Sequence, residues 1–223
     1  MSAVTIRYFT DPACPRSFAA EPQRLRLRWL YGDQIAWELR LVGLRERKSE
    51  WRGSDELRRI ARESGMPIDP RDRLWDAATI HACRAVVATR LRWPDREAAL
   101  LRRLRVLAMA GELLDDSDTL ELAAAQAGLP VAELAAYCAE DEVEAALRAD
   151  VAAARPSPTF AVTGAWGKLD RRDQQGSVEE VLAWAGTPLA TAEVTALCGR
   201  DVRADLARTA RFEPAGGDGY WSL

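Results

Sequence analysis

Chemistry in this 223-residue chain concentrates where one cysteine lies between two prolines, in Asp11-Pro12-Ala13-Cys14-Pro15-Arg16-Ser17-Phe18. A β-branched and aromatic run, Val4 to Phe9, precedes it, and Pro15 suits the first turn of a helix, so Cys14 is expected at a strand-to-helix junction. A sulfur there lies near unpaired backbone N–H groups and the positive end of the helix dipole, and both favour thiolate over thiol. Ser17, one turn on, would donate its hydroxyl to that sulfur, whereas Asp11 would oppose ionisation if it points inward. Arg16, between the two motif residues, would attract a carboxylate or favour the thiolate; plain solvent exposure is its other reading. For Cys14 the plainer reading is a small residue at a tight turn.

Few other groups compete for a chemical role. The remaining cysteines, Cys83, Cys138 and Cys198, lie far apart with no C-x-x-C pair, and read as free, buried, small hydrophobes. With His81 the only histidine, no zinc or other metal site is expected. His81 falls on a helix at the border of its apolar face; packing is its plainer reading and catalysis the alternative. Trp75 is a candidate for lining a cleft. Asp115-Asp116 and Glu140-Asp141-Glu142 read as helix starts and solvated charge without metal-ligand order.

The elements that must position Cys14 follow from pattern. Val4 to Phe9 is a strand, Pro15 to about Tyr31 a helix kinked by Pro22 and stopped by Gly32, and Ile35, Trp37, Leu39 and Leu41 alternate as a second strand. From Ser54 to Arg155 the pattern is helical. One helix begins near Leu57; the next carries Trp75, Ala78, Thr79, Ala82 and Val86 on one face and ends at Trp93-Pro94. A third is striped by Leu100, Leu104 and Leu107, with Arg102, Arg103 and Arg105 solvated. A capping box at Asp118 and Glu121 opens a short helix, and Pro130 and Asp141 open two more. Strand pattern returns at Thr159 to Val162, with Trp166 to Asp170 as its hairpin partner. A helix over Val178 to Ala185 and a loosely structured tail ending in Tyr220-Trp221 complete the chain. The order βαβ, helical block, ββα predicts an α/β, thioredoxin-like fold with a large all-helical insertion. The expected division is residues 1–53 with 154–187 as the thioredoxin-like domain, 54–153 as the insertion and 188–223 as a C-terminal extension.

Composition excludes some functions. The formal charge is 31 − 34 = −3, which disfavours nucleic acid and anionic membranes as partners. No run of some 20 apolar residues is present to span a bilayer. Met1-Ser2-Ala3-Val4-Thr5-Ile6-Arg7 lacks the basic and apolar regions of a secretory signal, so the expected compartment is the cytoplasm.

The segment Tyr8 to Phe18, followed by Glu21-Pro22, resembles the opening of DsbA-family proteins, particularly the FrnE-like branch, whose active site reads C-P-x-C or C-P-x-S. Ala82-Cys83-Arg84-Ala85-Val86, Leu101 to Arg105 and Ala127-Gly128-Leu129 are similar to that family's helical subdomain. Ser157-Pro158-Thr159-Phe160 resembles the thioredoxin-fold segment whose proline is cis and faces the active cysteine. The resemblance covers most of residues 4 to 187.

It implies a thiol-disulfide oxidoreductase with Cys14 as nucleophile, and with Pro15, Arg16, Ser157, Pro158 and Thr159 contacting a peptide or glutathione. Serine at position 17 cannot resolve a mixed disulfide, so the implied mode is monothiol, with glutathione as co-substrate and no tightly bound cofactor. A second reading is a glutathione-dependent transferase or isomerase similar to the kappa-class glutathione transferases and 2-hydroxychromene-2-carboxylate isomerases, with Ser17 holding the glutathione thiolate. A third is a catalytically silent adaptor that presents a client protein through surface aromatics such as Trp51, Tyr220 and Trp221. Assembly as a homodimer stays open.

Overall fold

Strands β1 (Val4–Thr10) and β2 (Ile35–Leu41) pair in parallel from Val4↔Ile35 to Thr10↔Leu41. A parallel pair requires a crossover, which helices α1 (Pro15–Ala19) and α2 (Glu21–Tyr31) supply. The computed structural model describes residues 4–43, 45–50, 54–71, 75–154, 160–172 and 176–223. Strand β5 (Phe160–Gly164) runs antiparallel along the other side of β1, so the strand order among the described residues is β2-β1-β5. Paired residues share a face. Val4, Ile6 and Ile35 accordingly bury one apolar face with Leu27 and Tyr31 of α2, and Tyr8 stacks on Phe160 with ring centroids 4.8 Å apart.

Between β2 and β5 runs the helical block. A two-stranded ribbon, β3 (Ser49–Glu50) with β4 (Trp75–Asp76), accompanies α3 (Ser54–Ser64), α4 (Ile80–Arg92), α5 (Glu97–Ala110), α6 (Ser117–Gln126), α7 (Val131–Tyr137) and α8 (Asp141–Ala153). Its core of Val86, Val87, Leu100, Leu104, Val143 and Leu147 is continuous with Phe18 of α1 and Leu41 of β2. The buried Asp150 of α8 adds a polar clamp. It accepts from the Leu41 backbone N–H at 3.1 Å, from Arg40 at 3.2 Å and from Arg90 of α4 at 2.8 Å. No helix among the described residues is long and apolar enough to cross a membrane.

After β5 come α9 (Val178–Ala185), β6 (Leu189–Ala190), α10 (Thr191–Cys198), α11 (Arg203–Thr209) and the hairpin β7 (Arg211–Ala215) and β8 (Asp218–Ser222). Their small sheet has the order β6-β8-β7. Leu189, Val194, Leu197, Val202 and Leu206 close over Leu25, Trp29 and Leu30 of α2.

Several expectations are corrected. The helix from Pro15 to Tyr31 is two helices, broken at Ala20 (φ −87°, ψ −4°). Pro22 falls in the first turn of α2, where its missing N–H costs no intrahelical bond, so it opens a helix and does not kink one. Trp75 and Ala78 precede α4. The Ala78 N–H bonded to Asp115 at 3.2 Å and the Thr79 N–H bonded to the Arg45 carbonyl at 2.8 Å hold the chain non-helical there. The cap of α6 is Asp116, which accepts from the Asp118 N–H at 3.0 Å, not Asp118 itself.

Trp166 to Asp170 contains a 3-10 turn and no strand. The Gln34 side chain brackets the backbone of Asp170 at 2.8 and 2.9 Å, and the Arg172 N–H bonds the Leu30 carbonyl, drawing this stretch to the end of α2 instead of alongside β5. Arg105 is buried, not solvated, and Arg102 is only 10% exposed in its side chain, because each meets a glutamate from a distant element. The C-terminal tail is folded, and Tyr220 is buried within it.

Candidate active site

Strand β1 delivers the chain into a turn that Asp11 builds twice over. Its backbone carbonyl accepts from the Cys14 N–H at 3.1 Å, and its Oδ1 accepts from the Ala13 N–H at 2.8 Å, an Asx turn. Cys14 then takes the N-cap position of α1 with extended backbone (φ −77°, ψ 111°), and its carbonyl accepts the first helical bond, from Phe18 at 3.1 Å. The thiol is half-buried and makes no capping hydrogen bond. The helix it opens has five residues, so the long dipole that sequence periodicity suggests is absent. Ser17 is buried one turn on, and its carbonyl accepts from the Tyr8 hydroxyl at 3.3 Å.

Asp11 is fully buried and also reaches the insertion. Its Oδ2 accepts from the Thr79 hydroxyl at 2.6 Å, while the Cys83 sulfur lies 3.7 Å away. Thr79 in turn accepts from the Arg45 N–H at 3.1 Å. The motif turn is thereby latched to the start of α4. Sequence reading missed this latch. An acidic residue beside two prolines was a visible signal, but nothing in the spacing pointed to Thr79 or Cys83.

Beneath α1 lies a second buried polar group. Arg105 of α5 donates to the Tyr8 hydroxyl at 2.9 Å and to Thr10 Oγ1 at 2.5 Å, and pairs with Glu21. Arg24 donates to the same carboxylate at 2.5 and 3.0 Å. Burial works against ionisation of Glu21, but Arg24, Arg105 and Arg102 outweigh it and hold the carboxyl down at about 2.

The other cysteines are poor nucleophiles at neutral pH. Burial, followed by the Asp11 carboxylate, pushes the Cys83 thiol well up. Burial pushes Cys138 up to about 11, against the opposing charge of Arg84, and raises Cys198. Arg16 is exposed and paired with Glu56 of α3 at 2.5 Å. Pro15 occupies the first position of α1. His81 is exposed on α4, and Trp75 lies in β4. Ser157, Pro158 and Thr159, with the cis-proline expectation, fall outside the described residues, as does Trp51.

No protein-family model and no curated protein sequence matches the chain. Solved structures do. A putative protein disulfide isomerase from Nitrosomonas europaea aligns over 77% of this chain and 88% of its own, at 17% identity and a TM-score of 0.62. The cytosolic disulfide reductase DsbM from Pseudomonas aeruginosa aligns over 76% and 89%, at 22% identity and a TM-score of 0.58. A 2-hydroxychromene-2-carboxylate isomerase aligns over 67% and 78%, at 12% identity and a TM-score of 0.47, too distant to bear on chemistry. The chain thus has the thioredoxin-like fold, with a helical insertion, found in DsbA-like oxidoreductases.

Proposed function

We propose that this chain is a thiol-disulfide oxidoreductase that works through the single motif thiol of Cys14. The supporting observation is the position of that thiol: half-buried at the N-cap of the helix after β1, on a turn held by Asp11. Burial raises the other three thiols, which leaves Cys14 as the reactive candidate. The Cys14 thiolate attacks one sulfur of a disulfide R–S–S–R′. A Cys14–S–S–R bond forms, the R–S–S–R′ bond breaks, and R′–S⁻ leaves with the electron pair. A second, external thiolate, glutathione, then attacks the R sulfur, giving R–S–S–G and returning Cys14 as thiolate. Ser17 stands where a resolving thiol would, and Pro15, Ser157, Pro158 and Thr159 would contact the substrate backbone. A structure of the Pseudomonas neighbour with glutathione is known, which makes glutathione the first co-substrate to test. Such chemistry suits a reducing cytoplasm.

The test is glutathione-dependent reduction of a low-molecular-weight mixed disulfide. Cys14→Ser should lose activity by about 100-fold or more, while substitution of Cys138 or Cys198 by Ala should leave it unchanged. Activity retained in Cys14→Ser overturns the reading. Conjugation of glutathione to an electrophile, lost in Ser17→Ala but kept in Cys14→Ala, would replace it with the transferase.

A further inference from the structure

Native folds pair their buried donors and acceptors, so unpaired ones that cluster require a reason. Among the described residues, Trp37 Nε1, Glu97 Oε1 and Arg105 Nε are buried without a hydrogen-bond partner, and all three residues line one cavity of about 200 Å³ between α2, β2 and α5. Glu97 Oε1 stands 3.9 Å from Arg90, beyond hydrogen-bond reach. The cavity continues into a wider cleft of about 540 Å³, and the two share Arg24, Arg28 and Arg102. Arg24 and Arg102 are committed to Glu21 and Glu193. Arg28 has no hydrogen-bonded carboxylate among the described residues, and its guanidinium lies 5.9 Å over the Trp184 ring at the mouth. The pocket is therefore lined mainly by guanidinium groups, with the ionised Glu21 carboxylate among them, and the three residues that keep an unpartnered buried atom line its narrower part. Cys14 does not line it.

We propose that this cleft is a binding site for a small oxyanion, a carboxylate or phosphate, whose oxygens accept from the Trp37 indole N–H and the Arg105 Nε–H while Arg28 steers it at the mouth. Oxyanions fit because both unpartnered nitrogens are donors and the Arg28 guanidinium, with no carboxylate bonded to it among the described residues, keeps a fork that matches carboxylate and phosphate geometry. Glu97 does not repel such a ligand when protonated. Burial raises its carboxyl to about 7, with Arg90 opposing and Asp150 adding to the rise, so its acid form can donate to the anion. The cavity exceeds the ≈ 30 Å³ share of one water several times over, and water is the competing occupant.

The test follows thermal unfolding of the full chain in inorganic phosphate or in succinate, each at about 10 mM, against sodium chloride of equal ionic strength. Wild type should gain about 3 °C or more in at least one anion, and the comparison of the two distinguishes phosphate from carboxylate ligands. Trp37→Phe, which keeps an aromatic ring but removes the donor, and Arg28→Gln at the exposed rim should lose most of that gain. Glu97→Gln should keep it. No gain in either anion, or an equal gain in Trp37→Phe and Arg28→Gln, overturns the proposal and leaves a water-filled cavity. Should Trp37→Phe not fold, Arg28→Gln alone decides. Cys14→Ser should show the full anion effect, so loss of thiol chemistry and loss of this site are separate results.

Discussion

Two glutamates on neighbouring helices show how placement sets the behaviour of one residue type. Glu21 is ringed by guanidinium groups and stays ionised down to about pH 2, whereas Glu97 is half-buried with weaker compensation and takes up a proton near 7. The two should drive stability in opposite directions. A carboxyl held below its unfolded value stabilises the fold above about pH 4.5 and loses that contribution as pH falls towards 2. For Glu21 the shift corresponds to about 3 kcal/mol. Glu21→Gln should therefore cost stability at pH 7 and cost far less near pH 2.5, measured by urea unfolding at both pH values. A carboxyl held above its unfolded value contributes fully below about pH 4.5 and loses that contribution as pH rises through 7. Glu97→Gln should accordingly raise Tm relative to wild type at pH 8 but not at pH 5.

At the scale of elements, the turn carrying Cys14 is held from two sides: by its own Asp11 and, through Asp11, by the start of α4. Thr79→Val keeps the shape of the side chain and removes the hydroxyl. It leaves the buried Asp11 carboxylate short of a donor, which should cost about 1–3 kcal/mol in chemical denaturation. Alkylation of Cys14 should also change in rate, since the turn beneath the sulfur loosens. A purely global effect would leave that rate alone under native conditions. The β7–β8 hairpin makes a comparable close contact. Gly216 has φ +56°, and a Cβ there would meet the Ile68 carbonyl carbon at 2.7 Å and the Asp69 nitrogen at 2.9 Å. Gly216→Ala should destabilise the protein by more than about 1 kcal/mol, read as a drop in Tm. The hairpin was legible as a Gly-rich turn but not as structure, because both of its strands are short and only β8 gains a further partner, β6.

Across the whole molecule, the segment after residue 187 is part of the fold. Leu25, Trp29 and Leu30 of α2 are covered by Leu189, Val194, Leu197 and Leu206, and Arg102 of the insertion is bonded to Glu193 at 2.6 Å. Ending the chain at residue 187 should expose that apolar surface and leave Arg102 without its carboxylate. The truncated protein should be aggregation-prone and lack a cooperative thermal transition, and a soluble, cooperatively folding 1–187 fragment would contradict this account. The insertion is joined in the same double fashion, by a core continuous with Phe18 and Leu41 and by the Asp150 clamp on β2. A cleft lined by α2, β2 and α5 arises only because α5 is brought from a distant stretch of the chain onto the neighbouring α2 and β2.

Local chemistry was readable without coordinates: the alternation of Ile35–Leu41, the proline-bracketed Cys14 at a helix start, the helical run after Ser54 and the βαβ order that implies the fold. These depend on side-chain period, on proline's fixed φ and on the dihedral needs of turns, all of which act within a few residues. What joined Asp11 to Thr79, buried Arg105 against Glu21, left an atom each of Trp37 and Glu97 unpaired beside a cavity and folded the C-terminal segment onto α2 was decided by tertiary packing. Burial and ion pairing are properties of neighbours brought together across 68 to 171 positions, and no local pattern of residue types encodes which distant partner will satisfy a buried charge.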